Sequence, residues 1–180
     1  GSREGPRGRH VRGGPSRDRE IEDIIQAVRA AGKAGLPCIE YNFYAHRPTE
    51  GYEEELGRAG SGLTRFNYER VKDLPPFERE GQHNREELFK RAEYFLKAVM
   101  PEAEKANVRF ALHPNDPPAP ISRGSEQMFA TFENWKRYLD LYKSPYNGIT
   151  FDCGVTRELG EDPAEVCRHH DSREVINCER

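Results

Sequence analysis

Strand-like and helix-like stretches alternate along the 180 residues, and this alternation predicts an α/β fold with about four parallel strands, each followed by a helix. Two further observations point the same way. The connections between strand candidates are long enough for right-handed crossovers, and the polar residues of those candidates share one side-chain parity. Composition narrows the class: 35% hydrophobic, 33% charged and a mean hydropathy of −0.94 leave a lean apolar supply for one core. No run approaches the roughly 18 apolar residues of a membrane span, and no apolar segment follows the N-terminus as in a secretory signal. A cytoplasmic protein with no membrane partner is the expectation.

The net charge of −3 is unevenly spread. Residues 1–19 hold six arginines against Glu4 and Asp18, a net of +4, which leaves −7 on residues 20–180. The leader reads as disordered, because Gly and Arg without apolar periodicity cannot build a core. The acidic body argues against a nucleic-acid partner. Cys38, Cys153, Cys167 and Cys178 form no CxxC pair, which excludes a zinc ribbon and gives no disulfide framework.

Residues 20–180 then read as one domain. Ile21, Ile24, Ile25, Val28 and Ala31 recur at helical spacing, with Asp18 as the expected N-cap. The strand PCIEYNFY (37–44) follows, closed by His46, Arg47 and Pro48. Residues 45–82 are too long for an ordinary connection, so they read as an insertion, either a functional lid or a partly disordered loop with a mobile tip at 57–62. Asn84 with Glu87 makes a capping box that opens the longest helix, which Pro101 is placed to kink before Asn107 ends it. The strand VRFALH (108–113) must stop at PNDPPAP, because proline removes ladder donors. A helix over 132–142, a strand over 148–153, a helix from Pro163 to about His169 and a last strand opening at Val175 complete the order.

Parity separates the faces. Ile39, Tyr41 and Phe43, Val108, Phe110 and Leu112, and Ile149 and Phe151 should meet the helices. Glu40, Asn42, Arg109, His113, Thr150 and Asp152 then lie on the other side, with His113 and Asp152 at the strand C-terminal ends, where parallel α/β folds bind ligands. An imidazole, a carboxylate and an amide there suit a divalent metal or a hydroxylated acid. A structural account fits the same residues: His113 capping a turn, Asp152 bonding loop amides, Glu40 pairing with Arg109. Cys153 has interior parity only if a bulge turns it, yet its thiolate would be an apt soft ligand.

The runs CIEYNFYAHRPTEGY (38–52), FALHPNDPP (110–118) and SPYNGITFDCGVTRELGEDP (144–163) closely resemble the bacterial mannonate dehydratases of hexuronate (glucuronate) breakdown, over about residues 16–177 and in consistent order. The resemblance implies a partial (β/α)8 TIM barrel of the xylose-isomerase-like type. It implies dehydration of the sugar acid D-mannonate to 2-keto-3-deoxy-D-gluconate with a divalent ion, Mn²⁺ first and Fe²⁺ as the alternative. The family's metal ligands are Cys, His, His and Asp. His113 matches one histidine, and either Asp152 or Cys153 stands where the cysteine belongs, parity favouring the first and chemical identity the second. Asn42, Arg47 and Asn115 are the candidates for binding substrate. The resemblance also implies a chain shortened at both ends, with the family's second histidine, its Asp ligand and its His and Tyr for proton transfer beyond Arg180. A chain of this kind is expected to be inactive alone and to self-associate into homo-oligomers through open sheet edges. Two other readings stay open: an inactive assembly module, and a sugar isomerase or epimerase of the same superfamily.

Overall fold

The computed structural model describes residues 16–78, 81–171 and 176–179, so the expected leader lies outside the described residues apart from its last four positions. The elements run α1 (Arg17–Lys33), β1 (Cys38–Tyr41), β2 (Tyr52–Leu56), β3 (Gly62–Phe66), α2 (Arg85–Ala106), β4 (Arg109–Leu112), β5 (Ile121–Ser122), β6 (Ser125–Glu126), α3 (Phe132–Leu141), β7 (Asn147–Phe151), α4 (Cys153–Glu158), α5 (Pro163–Asp171) and β8 (Ile176–Glu179).

The main sheet is parallel throughout, in the order β1-β4-β7-β8. Its strands are neighbours in chain order, as consecutive strand–helix–strand units usually are. Tyr41 stands level with Leu112, and Leu112 with Ile149. Phe43, Val108, Phe110, Leu112, Ile149 and Phe151 are buried against the helices, so the apolar parity read from the sequence holds across three strands. Between β7 and β8 the register slips after Ile149, and Asn177 in the slip donates its amide to the Phe110 carbonyl at 3.0 Å.

Helix α2 is the spine of the core. Asn84 accepts from the Glu87 amide at 2.8 Å, and Leu88, Phe89, Ala92, Phe95, Leu96, Val99, Met100 and Ala103 are all buried. The helix runs on through Pro101 to Ala106, with Asn107 at its end as expected. An interior proline costs about 3 kcal/mol, and the fully buried Met100 and Ala103 on either side supply apolar burial of that order. Asn107 then turns left-handed (φ 54°) and ends it.

The other boundaries differ from the sequence reading in small, explicable ways. Helix α1 begins at Arg17, with Ser16 and not Asp18 at the N-cap position; Asp18 sits in the first turn, where it accepts from Tyr94 at 3.0 Å. The strand over 148–153 stops at Phe151, because the Asp152 carboxylate accepts from the Val155 amide at 2.9 Å and starts α4. The insertion is a hairpin, not a loose loop: β2 and β3 pair antiparallel from Tyr52↔Phe66 to Leu56↔Gly62, and Glu53 faces Arg65 across the ladder.

Gly32 shows how closely the helix layer is set. A Cβ there would lie 2.6 Å from the Ala106 carbonyl oxygen, a backbone atom that cannot swing away. Alanine would gain about 1 kcal/mol of helix propensity, whereas forcing two packed segments apart costs about 1–3 kcal/mol. Gly32→Ala is therefore expected to destabilise the protein by up to about 2 kcal/mol, read from the urea midpoint at unchanged slope.

Candidate metal and sugar-acid pocket

The register that levels Tyr41, Leu112 and Ile149 delivers the next residues together at the strand ends. The His113 amide donates to the Tyr41 carbonyl at 2.8 Å, so β4 still follows β1 at this position. His113 is buried, and its Nδ1 lies 2.8 Å from the Pro114 carbonyl oxygen. A carbonyl can only accept, so Nδ1 carries a hydrogen, and the tautomer that fits this contact has its lone pair on Nε2. That nitrogen faces Asp152 Oδ2 at 3.9 Å, while the other carboxylate oxygen is spent on the α4 cap.

A separation of 3.9 Å exceeds a hydrogen bond. Two ligand atoms each about 2.1 Å from one ion stand at most about 4.2 Å apart, so this pair can share a cation. The Pro114 carbonyl orients the imidazole as outer-sphere partners do for metal-bound histidines. Among the described residues no group of three or more His, Cys, Asp or Glu side chains comes within reach of a single ion. The donor set thus fits a divalent metal as two ligands and goes no further within these residues. Cys153 does not join them: it is exposed at the start of α4, one residue past the side chain that meets His113.

Beside this pair lies a polar pocket of about 120 Å³ lined by Glu40, Asn42, Tyr44, Arg47, His113, Pro114 and Asp116. Small residues flank one of its lining side chains. Glu40 on β1 is level with Ala111 on β4, which is level with Gly148 on β7, so only a methyl group stands between β1 and β7 there. Over it the Glu40 carboxylate accepts from the buried Thr150 hydroxyl at 3.0 Å. The expected Glu40 pairing with Arg109 is replaced by this bond, and Arg109 instead donates to Asn177 at 3.1 Å.

The three substrate candidates fare differently. Asn42 and Arg47 line the pocket. Asn115 is buried beside it with its amide engaged in the loop, donating to Gln127 Oε1 and accepting from the Phe129 amide, both at 2.8 Å. Tyr44, Tyr52 and Asp116 were not singled out by the sequence. Tyr52 and Asp116 hold Arg47: its Nε donates to the Asp116 carbonyl at 2.7 Å, and its Nη2 to the Tyr52 hydroxyl at 3.1 Å and the Asp116 carboxylate at 3.3 Å. A larger open groove, about 550 Å³, lies between the C-terminal turns of α1 and α2, at the other end of the strands, where Glu102 ion-pairs with Arg29 and Lys105.

Comparison with known proteins shows the family and the fold. The family model described as D-mannonate dehydratase (UxuA) matches residues 61–177. The chain belongs to the mannonate dehydratase family. A mannonate dehydratase of Thermotoga petrophila is 34% identical over 180 aligned positions, covering 83% of this chain and 49% of that protein. One from Streptococcus pneumoniae is 32% identical over 79% of this chain and 45% of its own length. The crystal structure of the Streptococcus suis mannonate dehydratase superposes with a TM-score of 0.81 at 30% identity, over 95% of this chain and 52% of that one. The fold is accordingly part of that family's TIM-like barrel, and the chain spans about half the length of the relatives it matches.

In this mannonate dehydratase family member, acidic groups crowd the pocket rim. Burial, then Asp116, then Asp152 hold the Glu158 carboxyl above the ordinary carboxylate range. For an acid whose folded pKa is raised, the charged form costs stability, and the cost sets in as pH rises through the unfolded value. Glu158→Gln is therefore expected to raise the melting temperature at pH 7 by about 1–3 °C, a small gain because the side chain is only partly buried and solvent screens it. Below about pH 4 the gain should vanish, and thermal scans of both proteins across pH 3–8 measure it.

Proposed function

We propose that this protein serves the metal-assisted dehydration of D-mannonate to 2-keto-3-deoxy-D-gluconate, in the cytoplasm and in hexuronate breakdown. The observation that carries the reading is the facing pair of His113 Nε2 and Asp152 Oδ2 at the edge of a polar pocket, in a chain of this family. The reaction is difficult because a proton alpha to a carboxylate is very weakly acidic, and loss of the 3-hydroxyl then needs a general acid. A divalent ion, Mn²⁺ in this reading, supplies Lewis-acid charge at the acid's carboxylate end when bound.

The chain's own residues divide the remaining work. His113 and Asp152 would hold the ion, with the Pro114 carbonyl fixing the imidazole plane. Asn42 and Tyr44 offer an amide and a phenol to the hydroxylated carbons, and Arg47 offers positive charge to the carboxylate. Asn115 supports this set from behind by tying the 114–129 loop together. Two ligand groups, all that the described residues bring together, hold a divalent ion weakly and do not by themselves fix substrate geometry.

Calorimetry with D-mannonate, with and without Mn²⁺, tests the reading, with detection of the 2-keto-3-deoxy product in parallel. The acid should bind more tightly with Mn²⁺ present, and His113→Ala should weaken that ion-dependent binding about tenfold or more. Binding indifferent to both the ion and the substitution would overturn the reading.

A further inference from the structure

The base of the insertion hairpin reaches into the pocket by way of Arg47. Of the five N–H donors on its guanidinium, the one on Nε is used by the Asp116 carbonyl and those on Nη2 by Tyr52 and the Asp116 carboxylate. The two on Nη1 have no partner among the described residues. We propose that Tyr52 and Asp116 are positioning residues that hold Arg47 as the carboxylate anchor of the pocket, which makes the hairpin base a working wall of the site. The proposal rests on the reading of this pocket as a site for a hydroxy acid.

The arrangement exceeds what an incidental surface pair needs. An exposed Arg–Asp pair contributes little, because both side chains wander and water screens them. Here the guanidinium is tied at three points by two segments far apart in sequence, one of the ties a backbone carbonyl. A planar fork fixed in this way presents its remaining edge in one direction, which lysine cannot do.

Tyr52 is itself pinned. Its ring packs edge-on against Phe66 across the ladder, with centroids 5.6 Å apart. Phe66 in turn lies over Gly51, where any Cβ would overlap the ring, and the Asn67 amide donates to the Gly51 carbonyl at 2.8 Å. The hydroxyl completes a relay: it accepts from Arg47 and donates to Asp116 Oδ1 at 3.4 Å. Burial, then the Asp116 charge, push the phenol above its usual range, so it stays protonated and able to donate at neutral pH.

The test uses the full chain with two probes: D-mannonate with Mn²⁺, and glycolate, the simplest 2-hydroxy acid, which is independent of the dehydratase reading. Affinity is followed by calorimetry or NMR titration, together with the Arg47 side-chain Nε–H signal and the melting temperature. Tyr52→Phe keeps the ring and removes only the hydroxyl. It should weaken both acids about three- to tenfold at unchanged melting temperature, with a smaller shift of the Arg47 signal on adding acid. Arg47→Lys, which keeps the charge without the fork, should cost about tenfold or more. If Tyr52→Phe loses its fold, Asp116→Asn decides, since it keeps the backbone acceptor of Nε and should show the same loss. Both acids binding the variants as tightly as the parent chain overturns the proposal and leaves the dehydratase reading standing. Glycolate binding that depends on Tyr52 and Arg47, with no binding of D-mannonate, overturns the dehydratase reading and supports the anchor. No binding of either acid overturns both.

Discussion

The level register of β1, β4 and β7 is the constraint on which the site depends. Side chains alternate with period two, so a one-residue slip of β4 would carry His113 to the helix side and Leu112 into the pocket. Phe110 and Leu112 oppose that slip, because both are buried against the helix layer and exposing either would cost about 2 kcal/mol. The apolar face therefore fixes where the polar face points. Small residues finish the work: with Ala111 and Gly148 at the level of Glu40, the carboxylate can reach Thr150 across an intervening strand.

Asp152 does two jobs with one carboxylate. Oδ1 caps α4, which ends the strand and turns the chain, and Oδ2 is thereby aimed at His113. The backbone carbonyl of the same residue accepts from both the amide and the hydroxyl of Thr156, so the turn is held twice. A carboxylate committed in this way is held rigidly, as the proposed metal site would require. Cys153 shows the other side of the same turn. Once α4 begins, its side chain leaves the strand alternation, and its parity no longer bears on the interior.

The apolar faces were legible in the sequence because each follows from period-two alternation within one short run, and strand order and the meeting of His113 with Asp152 because consecutive crossovers set neighbouring strands side by side. Three features were not. Helix α4 opens on Cys-Gly-Val, which carries no start signal, and the N-cap before it, Asp152, had already been read as a strand end. The hairpin carries three successive glutamates in β2, a composition depleted in strands, and is stabilised by cross-strand partners that a linear reading does not pair. Tyr52 and Asp116 act on Arg47 from positions 5 and 69 residues away, a relation that exists only after the hairpin has folded against the 114–127 loop. The cue that was available is charge alternation: Glu53 opposite Arg65 and ion-paired to Arg70 would have suggested a ladder with polar faces.

The two walls of the pocket are consequently held by different forces. The sheet wall, with His113 and Thr150, is an extension of the buried core, and its stability rises and falls with apolar burial. The hairpin wall is held by charged and polar contacts: Arg47 to Asp116, Arg123 to Glu50 at 2.8 Å, and Gln127 to the His46 carbonyl at 3.3 Å. At Glu50, burial pushes the carboxyl up, but hydrogen bonds from a backbone amide, Arg123 and His46 outweigh it and leave the group below its usual range. Such contacts weaken with salt and give way one at a time, whereas the core yields cooperatively. The hairpin can therefore loosen while the sheet ends stay in place. In the proposed function the groups that would hold the metal thus stand on the cooperative side, and Arg47 keeps its direction only while its three ties to Tyr52 and Asp116 hold.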